Sequence, residues 1–232
     1  MNNEQMPETG HKEIRGMIFV EGGLFDMGSN DGESDELPVH KVFVNSFWID
    51  KNLVTVKEYF IFCGSTGKEF PTQPDWEFNE LLPVVNVSWQ DALDYSKWVG
   101  KRLPTEAEWE FASKAGVKCA KFKYSGSDNP ADISWFARNS ESPMPVGTKL
   151  PNCLGIFDLS GNVWEWTNDW YDPEYYRIRT ENNPRGPVNG TEKVLRGGSF
   201  FNDSYLLRNT NRHKMAPKKR NSMTGFRCVK SL

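Results

Sequence analysis

Histidine is nearly absent from this chain: His11, His40 and His213 are the only three in 232 residues. So few, so far apart, cannot furnish a histidine-rich metal site. Cysteine is scarce too. Cys63, Cys119, Cys153 and Cys228 show no Cys-x-x-Cys and no dense spacing, which argues against a zinc site or a disulfide framework and reads as buried free thiols. No apolar run approaches the roughly 18 residues of a membrane-spanning helix. The first sixteen residues are polar and lack the apolar stretch of a secretory signal. Neither sign of charge is in excess: 28 basic and 31 acidic side chains leave a formal net charge of −3, which gives no overall attraction to nucleic acid. The nucleophile elbow Gly-x-Ser-x-Gly, the phosphate loop and His-Glu-x-x-His are all missing.

Aromatic residues, by contrast, are plentiful: nine Trp, fifteen Phe and seven Tyr. That excludes a disordered chain, and the length suffices for one large buried core. Residues 1–16 read as a disordered polar tail and 17–232 as one domain. Met17–Val20 and Leu24–Met27, separated by Gly22-Gly23, read as a hairpin. The acidic stretch Asn30–Glu36 reads as a loop, and His40–Val44 and Phe47–Ile49 as strands. Three helices announce themselves by their caps. Thr55 with Glu58, Ser88 with Asp91 and Thr105 with Glu108 each place a hydroxyl and a carboxylate three residues apart ahead of a helical pattern. In that arrangement each group satisfies an orphan amide of the first turn. Beyond about residue 120, Gly, Asn, Asp, Pro and Ser recur every few residues between aromatics, so loops and short strands are expected. The class is α+β with little regular secondary structure.

Five phrases then stand out in order: Pro83-Val-Val-Asn-Val-Ser-Trp89, Lys101-Arg-Leu-Pro-Thr-Glu-Ala-Glu-Trp-Glu-Phe-Ala112, Gly155-Ile-Phe-Asp-Leu-Ser-Gly-Asn-Val-Trp-Glu-Trp166, Arg196-Gly-Gly-Ser199 and Gly225-Phe-Arg-Cys228. Together they resemble the formylglycine-generating-enzyme, or sulfatase-modifying-factor, family from residue 17 to the C-terminus. The resemblance implies its C-type-lectin-like fold. Within it, Trp89, Trp98, Trp109, Trp164 and Trp166 read as core, and Arg196, Arg208, Arg212, Arg220 and Arg227 as scaffold groups bridging carbonyls and carboxylates.

Enzymes of the family oxidise a substrate cysteine with a copper ion held by two cysteine thiolates that come soon after Arg-Gly-Gly-Ser. Laid on this chain without gaps, the two cysteines fall at Asn202 and Leu207. An amide and an alkyl group cannot replace thiolates on soft copper(I), so no copper and no oxidase activity are expected. The histidines and extra helical domain of the family's sulfoxide synthases are also missing. The resemblance implies a calcium ion held by the side chains of Asp158 and Glu165 and the carbonyls of Gly161 and Val163, a hard oxygen set. The competing reading has Asp158 capping a turn and Glu165 paired with an arginine.

Between Ser199 and Gly225 the chain resembles the retroelement-diversified variable proteins, such as those of Treponema, which keep Arg-Gly-Gly-Ser and Gly-Phe-Arg as fixed bookends. Residues 200–224 are therefore the expected ligand-binding region. Phe201 and Tyr205 offer rigid apolar area; Asn202, Asp203, Asn209, Asn211, His213, Asn221 and Ser222 offer adaptable polar contacts, as paratopes do. Lys214 and Lys219, with Lys218, add local positive charge, and Met223 closes the stretch. Adenine-directed diversification of asparagine codons does not produce Lys or Met. Lys214, Met215, Lys218, Lys219 and Met223 thus either belong to the fixed frame or argue against diversification. The expected function is non-catalytic binding of a protein or other macromolecule by a monomer at the cell surface, tied to the membrane only through a lipid anchor outside this chain. The alternatives are an oxidase or accessory enzyme of the family, and a cytoplasmic location.

Overall fold

Apolar runs rich in β-branched and aromatic residues make the first strands of the chain. A computed structural model describes residues 14–232 except Phe78, Lys118, Ala120, Arg179 and Thr180. The tail expected over 1–16 lies outside the described residues as far as 13. Residues 14–16, however, form a turn, with the Met17 amide on the Ile14 carbonyl and the Lys51 amide on the Gly16 carbonyl. Strand β1 (Met17–Val20) pairs antiparallel with β4 (Phe47–Asp50), and β4 pairs with β9 (Val229–Ser231). Strand β2 (Gly23–Met27) pairs instead with β3 (His40–Val44). The expected hairpin of 17–20 with 24–27 is thus corrected: Gly22 and Gly23 carry the chain from one sheet to another. The amide of Gly22 is held by the Ser46 hydroxyl, and a side chain there would strike the backbone of Val44 and Ser46.

The three helices start where their caps place them. Helix α1 (Val56–Thr66), α2 (Trp89–Trp98) and α3 (Glu106–Ser113) each have a reciprocal capping box, from Thr55–Glu58, Ser88–Asp91 and Thr105–Glu108. Each cap is worth about 1 kcal/mol. A single-turn α4 (Pro130–Ile133) comes next, capped by Asn129. The second half is loop-rich, as expected. It is organised by β5 (Trp164–Trp170), flanked antiparallel by β6 (Lys193–Arg196) and parallel by the short β8 (Thr224–Gly225); β7 (His213–Met215) closes the order β7-β6-β5-β8. The acidic loop contains one 3-10 turn, Ser34–Glu36.

Two aromatic cores hold these pieces. One joins β1 to β4 to α3 through Phe25, Phe47, Trp109 and Phe111; the other joins α1, α2, β5 and β6 through Tyr59, Phe62, Tyr95, Trp166 and Phe226. Trp109, Trp164 and Trp166 are buried, and Trp89 is half-buried with its Nε1–H on the Thr167 carbonyl. Trp98 corrects the expectation that all five are core: at the last position of α2 it is 44% exposed, with one face against Phe62. The cysteines also divide. Cys63 and Cys228 are buried free thiols, whereas Cys119 and Cys153 form a disulfide. Thirty-four residues of separation give no local signal of that pairing.

Candidate functional site

Arg196 ends β6 and organises the segment after it. Its guanidinium, fully buried, pairs with Glu110 of α3 and donates to the carbonyls of Asn209, Thr210 and Asn211 at 2.9, 2.9 and 2.6 Å. Three carbonyls on one cation pull the stretch 209–211 inward. Gly197 and Gly198 then turn the chain with positive φ; a side chain on Gly198 would meet Leu207 Cδ1 at 2.9 Å and the Leu206 carbonyl at 3.0 Å. Positive φ and close backbone approach together restrict the position to glycine.

The two positions that would carry copper thiolates are built for other tasks. Asn202 Oδ1 accepts from the Ser199 amide (3.0 Å) and hydroxyl (2.7 Å), closing the turn after the glycines. Its carbonyl accepts from the Ala137 amide, tying the turn to the neighbouring loop. Leu207 ends the 3-10 turn Ser204–Leu207 and is wholly buried against Tyr124, Ile133 and Phe136. Neither position offers a donor to a soft metal.

Beside and between them, Phe201 is 69% and Tyr205 44% exposed, with Asp203 also at the surface. The Tyr205 ring lies 4.2 Å from the guanidinium carbon of Arg208, which makes a two-point pair with Glu36. Beneath Phe201, Phe200 packs against Trp76 at 5.7 Å between ring centroids. Two exposed aromatic rings thus stand close in sequence, the tyrosine on a charge-paired base. The glutamate of that base, in the acidic loop, carries no local sequence signal of its role.

Beyond Arg208 the structure redistributes the expected ligand-binding residues. Asn209 and Asn211 are corrected to interior positions, 2% and 1% exposed. The Asn209 Nδ2 and backbone amide donate to the carbonyls of Phe122 and Lys123, and the Asn211 amide to that of Arg208. Arg212 pairs with Glu106 and also donates to the carbonyls of Asp35 and Asp172. His213 and Lys214 reach the surface on β7. The His213 ring rests on Trp164 at 4.9 Å, and burial against it lowers the imidazole pKa. Lys214 lies over Tyr171 and beside Glu192.

Lys219 is exposed, whereas Asn221, Ser222 and Met223 are half-buried against the start of α2. There the Asn221 carbonyl accepts the Asn86 amide, and Arg220, exposed rather than buried, pairs with Asp91. Arg220 forms one wall of a groove of about 520 Å³ whose other walls include Tyr59, Lys68, Phe70 and Thr72. The loop 70–76 links the two surfaces: Trp76 meets Phe200, and Thr72 accepts from Asn86.

The calcium set folds around an arginine. Glu165 accepts from Arg227 through both oxygens, at 2.7 and 2.9 Å, with both side chains fully buried. Asp158 accepts from the Gly147 amide at 2.8 Å, and burial raises its carboxyl pKa. In this conformation the set does not present two open carboxylates to a cation. Among the described residues no group of three or more His, Cys, Asp or Glu is placed to hold a metal ion, and no helix is long and apolar enough to cross a membrane.

Comparison with known proteins identifies the family of this fold. The sulfatase-modifying factor enzyme 1-like domain matches residues 2–232. Among curated proteins, the serine/threonine-protein kinase pkn1 of Chlamydia pneumoniae is 36% identical over 241 residues, covering 93% of this chain and 38% of the kinase. The formylglycine-generating enzyme of Streptomyces coelicolor is 31% identical over 294 residues, covering 97% of this chain and 92% of the enzyme. Among solved structures, Treponema denticola variable protein 1 superposes with a TM-score of 0.79 at 26% identity, covering 92% of this chain and 94% of that one. The chain thus spans 38% of the length of the chlamydial kinases it matches.

Proposed function

The chain belongs to the sulfatase-modifying factor enzyme 1-like family, and on that footing we propose that it is a non-catalytic member that binds a protein or other macromolecule through the surface around Phe201 and Tyr205. The observation that carries this reading is the use made of the two copper positions: Asn202 closes a turn and Leu207 plugs a core. With structural groups at both positions, the segment is left without the donors that copper chemistry needs. What its surface offers is exposed aromatic area beside an ion pair, with little side-chain entropy to lose on binding. The likeness to Treponema denticola variable protein 1 supports display of the 200–224 region as a recognition surface, and the diversified character of that region is part of the proposal. Placement at the outer surface draws support from the Cys119–Cys153 disulfide, since such bonds persist in oxidising compartments.

Two measurements test the reading. Copper(I) titration alongside incubation with a cysteine-containing sulfatase peptide should give neither a stoichiometric copper site nor an aldehyde product. Panning a displayed peptide library on the purified chain should recover sequences whose binding is lost with Phe201→Ala or Tyr205→Ala. A tight copper site with peptide oxidation would make the chain an enzyme and end the proposal.

A further inference from the structure

We infer that the Cys119–Cys153 disulfide is a latch on the underside of the recognition segment, opened by a dithiol reductant. The inference rests on the recognition role proposed above for the 200–224 region.

Cys153 comes directly after Asn152, a buried side chain that donates to the Ala112 carbonyl and Ser125 hydroxyl and accepts from the amides of Leu154 and Ile156. That end is fixed to the frame beside α3. Cys119 precedes the stretch 121–123, which meets the frame through an exposed Lys121–Asp26 ion pair of 3.3 Å and the Lys123 amide on Asp128. Two consecutive carbonyls of this stretch grip the recognition segment: Phe122 accepts from Asn209 Nδ2 at 3.0 Å and Lys123 from the Asn209 amide at 3.1 Å.

Cys119, Cys153, Phe122 and Asn209 line one small cavity of about 40 Å³. Asn209 Oδ1 is buried there without a hydrogen-bond partner, so the grip depends on the two donors just named. Asn209 lies one residue beyond Arg208, whose guanidinium supports the Tyr205 ring. The covalent bond is therefore connected by three adjoining contacts to the exposed aromatic pair.

The bond is also reachable. Cys153 is exposed and Cys119 half-buried. A thiolate of the dithiol attacks the exposed Cys153 sulfur and displaces Cys119 as a thiolate, which takes up a proton. The second thiol of the reagent, as thiolate, then closes on its partner sulfur and releases Cys153, which is protonated in turn. Two electrons and two protons pass to the protein, and the dithiol leaves as its cyclic disulfide. With the covalent tie gone, the stretch 121–123 regains chain freedom, and its carbonyls hold Asn209 less of the time.

The test is amide hydrogen exchange on the intact chain before and after mild dithiol treatment, with thiols counted by alkylation under native conditions. The untreated protein should show no rapidly alkylated thiol, since Cys63 and Cys228 are buried; the treated protein should show two. Amides of residues 206–212 should then exchange on the order of tenfold faster, while those of α1 are unchanged. The double variant Cys119→Ser/Cys153→Ser should behave likewise without reductant. Unchanged exchange at 206–212 after both thiols are alkylated would overturn the latch. So would acceleration spread evenly over the chain, or two accessible thiols in the untreated protein. No ligand enters this measurement, so failure of the recognition proposal would show separately, in the panning experiment.

Discussion

Arg208 meets Glu36 across 172 residues of chain through two parallel hydrogen bonds, Nη1 to Oε2 at 2.8 Å and Nη2 to Oε1 at 2.7 Å. Burial by itself would raise the Glu36 carboxyl pKa; the Arg208 hydrogen bonds lead the groups that outweigh it and bring it below the usual value. The pair joins the acidic loop to the recognition segment, and Tyr205 lies on its outer face.

Glu36→Ala should therefore be among the most damaging single changes outside the aromatic cores. It leaves Arg208, 5% exposed, as a buried charge without its partner, at a cost of roughly 3–5 kcal/mol. The pH dependence has a definite sign. A carboxyl with a depressed folded-state pKa contributes stability above its unfolded value, and that contribution is lost as pH falls through the folded one. Urea melts across the acid range should show the wild-type advantage over Glu36→Ala shrinking below about pH 4.5. An advantage that stayed constant to about pH 2 would mean that the pair is not what stabilises the loop.

The recognition surface and its support should separate by stability. Phe201→Ala and Tyr205→Ala remove exposed rings, and each should cost less than about 1 kcal/mol, the Tyr205 loss including its contact with Arg208. Asn209→Ala removes the Nδ2 donor to the Phe122 carbonyl inside the fold and should cost roughly 1–3 kcal/mol. Chemical denaturation of the three variants decides the matter. If Tyr205→Ala were as costly as Asn209→Ala, the tyrosine would be part of the scaffold.

That division marks where sequence reading stops. Thr55, Ser88 and Thr105 were legible as helix starts because a capping box is complete within four residues. The phrases Arg196-Gly-Gly-Ser199 and Gly225-Phe-Arg-Cys228 were legible as framework, and Arg196 ends β6 while Gly225 ends β8. Between them, polar character suggested exposure for Asn209 and Asn211, and the structure buries both because Arg196 holds their backbone carbonyls from inside, a contact with no sequence signature. The segments 17–20 and 24–27 misled for a related reason: two glycines between short strands mark a turn, and only pairing with distant strands decides which sheet receives each one. The disulfide and the Glu36–Arg208 pair are products of topology at separations of 34 and 172 residues.

The Glu165–Arg227 pair gives a calcium prediction. Calcium would have to draw Glu165 from a guanidinium that holds both its oxygens, exchanging one buried pairing for another and losing two charge-assisted hydrogen bonds. Thermal melts with excess chelator and with millimolar calcium should coincide. A calcium-dependent rise in Tm of several degrees would show that the carboxylate changes partner and that the set around Asp158 is a working cation site.

Lys193 supplies a prediction in the alkaline range. Its side chain is buried on β6, with Nζ 4.1 Å from the ring centroid of Trp89 and 3.8 Å from that of Trp170, donating to the Asn168 carbonyl at 2.8 Å. Burial lowers its pKa from 10.5 to about 8, opposed by the nearby Asp169 carboxylate. Between these two values the unfolded chain holds a proton that the folded one has released. Stability from this group therefore rises with pH from about 8 to 10.5. A shift of this size corresponds to roughly 3 kcal/mol, and the two indole faces, which favour the ammonium form, reduce it. Lys193→Met removes the titration and keeps the apolar stem between the rings. The variant should be more stable relative to wild type at about pH 7 than at about pH 10.5, with the difference closing across that window. The comparison isolates Lys193, since every other titrating group is common to the two proteins. A constant difference over that range would show that the tryptophan pair holds Lys193 charged throughout, making it a cationic strut between β5 and β6 rather than a lysine destabilised by burial.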